Sequence, residues 1–80
     1  MTHHILRLPA VKESTGLSRS TIYLRIAHGG FTHPVSLGGR AVGWPSHEVA
    51  ALSAARIAGK SDAGVRALVM QLEAARKAVA

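Results

Sequence analysis

Thr15-Gly16-Leu17-Ser18-Arg19-Ser20-Thr21-Ile22-Tyr23 decides how this chain folds, because it holds the end of one helix and the start of the next. Gly16 supplies the permissive backbone that ends helices. Ser18 is a favoured N-cap, whose hydroxyl can accept from an orphan N–H of the helix that follows. The turn between them is therefore only about three residues. Upstream, the sequence predicts a short helix over Pro9–Thr15, with Pro9 in its first turn and Leu8 and Val11 pointing inward. Downstream, a second helix is predicted over Arg19–His28. Ile22 and Ile26, four apart, face the core, while Arg19, Tyr23 and Ala27 fall on another face. Gly29-Gly30 stops it.

Beyond Phe31 and Pro34, Val35-Ser36-Leu37 and Ala41-Val42-Gly43-Trp44 alternate as strands around Gly38-Gly39-Arg40. Glycines there provide the positive φ that tight hairpins need. Pro45 is expected to close the second strand and Ser46 to cap a third helix, His47–Ala58, with Val49, Leu52 and Ile57 inward and Gly59 at its end. Ser61 or Asp62 can open a fourth helix running to the C-terminus. The expected class is mainly α with a small β-hairpin, a winged helix-turn-helix followed by a C-terminal helix. Residues 1–59 form the first unit and 60–80 the amphipathic second.

Eighty residues make one small domain, which buries only about 60% of its unfolded surface. A large substrate cleft is improbable in such a chain. Ten Lys and Arg against four Asp and Glu give a net charge of +6, of which +4 falls in residues 1–45. Such an excess attracts polyanions. There is no cysteine, hence no disulfide, thiolate site or thiol nucleophile. His3-His4, His28, His33 and His47 lack a matching carboxylate cluster, so no metal is expected. No serine has a general base with an orienting acid, no phosphate loop occurs, and no cofactor is implied, which argues against an enzyme. Without a signal sequence or a long apolar run, the expected location is the cytoplasm, associated with the nucleoid.

Two short helices joined by so brief a turn match the geometry that presents a helix N-terminus to the major groove of duplex DNA. Ser18, Ser20 and Thr21 offer hydroxyls to phosphates or base edges, and Arg19 can take guanine in a bidentate contact. Tyr23, one turn on, can reach the sugar-phosphate backbone. Arg40, beside Gly39 at the hairpin tip, can enter the minor groove or clamp a phosphate. Arg7, Lys12 and Arg25 are further candidate contacts, while Trp44 reads as core rather than as a stacking platform.

These residues, with Ile5-Leu6-Arg7-Leu8-Pro9, Gly30-Phe31 and Pro34-Val35, resemble the AlpA-type prophage regulators over about residues 5–58. The resemblance implies a winged helix-turn-helix related to that of MerR-type regulators. It places Ser18, Arg19, Ser20, Thr21 and Tyr23 on the recognition helix and Gly38, Gly39 and Arg40 in the wing, anchored by Trp44. Leu24, Thr32-His33 and Pro45 depart from the family's usual basic or Pro-Lys pattern, and each departure can remove a phosphate contact. Similar small proteins serve as excisionases, so the expected role is regulator of a prophage or mobile element or, alternatively, a directionality factor that bends DNA beside an integrase. Val65, Leu68, Leu72 and Val79 draw an apolar stripe. It leaves three readings: packing on the same domain, self-association on DNA, or an antirepressor-like interaction module. Arg66, Arg76 and Lys77 are too few to favour a membrane surface.

Overall fold

The computed structural model describes residues 4–78. Chain order is β1 (Ile5–Leu6), α1 (Leu8–Thr15), α2 (Arg19–Ala27), β2 (Val35–Gly38), β3 (Ala41–Pro45), α3 (Ser46–Ile57), α4 (Asp62–Ala75) and a single 3₁₀ turn, Arg76–Ala78. The mainly helical class with a β-hairpin is as expected. Gly16 ends α1 at φ 72°, donating its N–H to the Lys12 carbonyl at 2.8 Å. The Thr15 hydroxyl donates to Val11 O at 2.7 Å and accepts the Leu17 N–H at 3.3 Å, which ties the last turn of α1 to the loop. Ser18 then caps α2 by accepting the Thr21 N–H.

The three strands lie in the order β1-β3-β2, all antiparallel. The β2–β3 hairpin runs from Val35↔Gly43 and Ser36↔Val42 to Gly38↔Ala41, with Leu37 bulged out. Gly38 and Gly39 take φ of 103° and 55° at the turn, a region closed to most side chains. On the opposite edge of β3, Ile5 pairs with Pro45 and Leu6 with Trp44. Sequence patterning did not mark Ile5–Leu6 as a strand. Its position explains Gly43: a Cβ there would run into the Ile5 side chain and come within 3.0 Å of Leu6 O.

The expected Ser46 cap is not formed: Pro45 holds the cap position, Ser46 is already the first helical residue, and its N–H donates to His4 O at 2.8 Å. Ile57, expected inward, is 88% exposed on the last turn of α3. The core joins Val11, Ile22, Phe31, Trp44, Val49, Leu52 and Ala55 to Val65 and Val69 of α4, with Leu68 and Leu72 packed against them. Three members of the apolar stripe are thus covered by the domain's own core, and Val79 lies outside the described residues.

A polar network fastens α4 to the loop before the hairpin. Glu48 of α3 is fully buried, and Arg76 meets it with two hydrogen bonds of 2.8 and 2.6 Å. Those bonds raise the Arg76 pKa further, against the opposing effect of burial. Arg76 also donates to His33 O at 2.7 Å. Glu73 accepts the His33 backbone N–H at 2.7 Å and contacts its Nδ1 at 2.9 Å. Burial pushes the Glu73 carboxyl pKa up, but the His33 hydrogen bonds and the charges of His33 and Arg76 bring it below its ordinary value.

Three outcomes follow. Gly43→Ala should cost about 1–3 kcal/mol through overpacking and speed hydrogen exchange at the Ser46 amide; unchanged exchange there would refute the β1 contact. Arg76→Met should cost about 3–5 kcal/mol in urea denaturation because it strands a buried carboxylate, and adding Glu48→Met should restore most of it. Glu73 stabilises the fold fully above the ordinary carboxylate pKa of about 4.3, and that contribution disappears as pH falls through its lower folded value. Glu73→Gln should therefore flatten the acid-side fall of the urea midpoint; an unaltered pH profile would count against this.

Candidate nucleic-acid interface

With Ile22 and Ile26 turned to the core, the helical repeat places Ser20, Leu24 and Ala27 along the outward crest of α2. Leu24 is 56% exposed there, an apolar side chain in the middle of a polar surface. Arg19 and Tyr23 share one flank of the crest. The Arg19 guanidinium lies over the Tyr23 ring, 5.7 Å from its centroid. Tyr23 in turn meets Trp44 edge-on, with centroids 6.2 Å apart at 69°. A flexible cation is thereby held by a ring that is itself held by the core, which lowers the entropy lost when the cation engages a partner.

The hydroxyls divide into two roles. Ser18 Oγ donates to Thr21 Oγ1 at 2.9 Å while capping the helix, so both groups are already engaged inside the chain. Ser20 is exposed and lies 3.3 Å from Ser18 Oγ. Arg40 is exposed at the hairpin turn, directly after Gly39. Arg7 and Lys12 are exposed beside and on α1, apart from the crest of α2. Arg25 is half-buried on the other flank of α2 from Arg19, where it lines an open cavity of about 490 Å³ with Arg56 and Arg66. Those last two come from α3 and α4, at sequence distances that no local pattern could connect to α2.

Charge is segregated in the same sense. From Ser14 to His47 the sequence has no Asp or Glu, and Arg19, Arg25 and Arg40 all fall within that stretch. Glu48 and Glu73 are occupied by Arg76 and His33, and Asp62 pairs with Arg56 at 3.3 Å. His33, one of the departures from the family's usual pattern, is part of the tie to α4. Pro45, another, is paired with Ile5 in the sheet. Among the described residues no group of three or more His, Asp or Glu is placed to hold a metal, and no helix is long and apolar enough to cross a membrane.

The family described as Prophage CP4-57 regulatory protein (AlpA) matches residues 4–57, from the residue before β1 to the last residue of α3. A protein of Enterobacteria phage P4, described as "Uncharacterized protein ORF88", is 54% identical over 55 residues, covering 69% of this chain. The match spans 62% of that relative's length. No solved structure matches. Matched through the helix pair, the hairpin and α3, the chain belongs to the AlpA family of prophage regulatory proteins.

Proposed function

We propose that this chain binds duplex DNA and regulates transcription of a prophage or mobile element, with α2 in the major groove and the β2–β3 hairpin alongside. The observation that carries the reading is the acid-free stretch from Ser14 to His47, which holds Arg19, Arg25 and Arg40 around one exposed helix and one glycine turn. A surface of that sign attracts phosphates, and the first turn of α2 adds the positive end of its helix dipole.

Within this reading, Arg19 takes guanine O6 and N7, held in place by Tyr23, and the Tyr23 hydroxyl contacts the backbone. Ser20 and Leu24 face the base edges, where Leu24 suits the methyl group of thymine. Ser18 and Thr21 act chiefly by fixing the helix start and presenting its N–H groups to a phosphate. Arg40 reaches the adjacent minor groove or its phosphates from the hairpin tip, while Arg7 and Lys12 add outlying phosphate contacts. The DNA partner places the protein in the cytoplasm, on the nucleoid.

Titration of labelled duplex tests this. Arg19→Ala should weaken binding to the preferred site by about 1–3 kcal/mol and relax its base preference. Arg40→Ala should weaken all duplexes and reduce the salt slope by about one. Unchanged affinity in both variants would refute the assignment. Footprinting should protect a promoter; protection confined to an attachment site would overturn the regulatory role.

A further inference from the structure

The cavity beside α2 is walled by Thr21, Arg25 and His28 on one side and by Arg56, Asp62 and Arg66 on the other. We infer that it is a phosphate clamp, in which Arg25, Arg56 and Arg66 grip one backbone phosphate of the DNA strand on the side of α2 away from Arg19. This rests on the DNA-binding reading above and adds to it a contact made by α3 and α4.

Three arginines line the cavity with one aspartate, an excess of positive charge that an anion would relieve. The two distant arginines reach it because the residues that follow α2 and its cap, Gly29 and Gly30, carry no side chains. The Arg66 stem crosses Gly29, where a Cβ would lie 3.4 Å from its Cδ, and an Arg56 terminal nitrogen lies 3.7 Å from the Cβ position of Gly30. Arg25 and Arg66 have no carboxylate partner among the described residues. The Arg56–Asp62 pair is long at 3.3 Å, and the Asp62 side chain is 79% exposed. An ion pair in that setting is worth at most about 1 kcal/mol, so a phosphate can take its place. Guanidinium forks match phosphate oxygens in bidentate geometry, which an exposed aspartate at this distance does not exploit.

Helix geometry puts the clamp where a phosphate would be. An α-helix with its side chains is about 10–12 Å across, close to the roughly 12 Å width of the major groove. A helix seated there meets a phosphate row on each flank. At 3.6 residues per turn, Arg19 and Arg25 stand about 240° apart around α2, on opposite sides of the Ser20–Leu24 crest. One row then falls to Arg19 and Tyr23, and the other to the arginine cavity. Asp62 and Arg66 lie beyond residues 4–57, the segment matched by the family, so this half of the clamp belongs to the part of the chain that the family does not define.

The test is the salt dependence of binding to a mixed-sequence duplex by fluorescence anisotropy, with the fold of each variant checked by thermal denaturation. Arg56→Gln and Arg66→Gln should each lower the slope of log K against log salt by about one and leave base preference unchanged. Asp62→Asn should bind more tightly, by up to about fivefold at low salt. Wild-type slopes in both glutamine variants, or an Asp62→Asn protein that binds no tighter, would overturn the clamp and leave the major-groove reading standing. A wild-type chain that binds no duplex at all would overturn both.

Discussion

Trp44 is the constraint on which the other elements depend. Its indole N–H donates to Thr32 O at 3.0 Å, and its ring meets Tyr23 at 6.2 Å and Phe31 at 6.4 Å, both edge-on. Its backbone pairs with Leu6 across the sheet. One fully buried side chain therefore sets the distance between the hairpin, the exposed helix and the loop that connects them. Edge-on aromatic pairs of this kind add about 0.5–1.5 kcal/mol beyond the area they cover. Their larger effect is positional. Tyr23 has one edge against the core and one face toward Arg19, so a packing decision inside the domain becomes an orientation decision on its surface.

The parts legible in the sequence are those whose signals are local. Pro9, Gly16 and Ser18 mark helix ends by the backbone each prefers, and Gly38-Gly39 marks the hairpin by its φ requirement. The missed parts are those whose partners are distant. Ile5–Leu6 is too short to show a strand period, and it becomes one only because β3, some 40 residues on, has a free edge and a glycine that lets it approach. Ser46 resembled a cap because serine caps helices, but α3 begins at Ser46 itself, with Pro45 in the cap position. Ile57 fits an apolar helical repeat, yet the chain turns away at Gly59 before anything covers it.

The candidate surface divides in the same way. Arg19, Tyr23 and Arg40 could be placed from spacing alone, since they share one helix face or one turn. That Ser18 and Thr21 are bonded to each other could not, because a capping hydroxyl and a ligand-facing hydroxyl are the same residue type. Nor could the meeting of Arg25 with Arg56 and Arg66, which is set by how α4 returns across the end of α2. The partner of His33 was equally out of reach, since Glu73 lies 40 positions away.

The Glu48–Arg76 contact also has a hereditary side. Glu48 lies within the segment that defines the family and Arg76 beyond it, yet the first is tolerable in a dry core only because of the second. The two positions are energetically coupled, since removing either partner leaves the other's charge without its counterion. Gene exchange that swapped the tail after α3 would have to bring an arginine with it or arrive with a different residue at position 48. Mosaic relatives should then differ at both places together, a pattern visible in sequences alone.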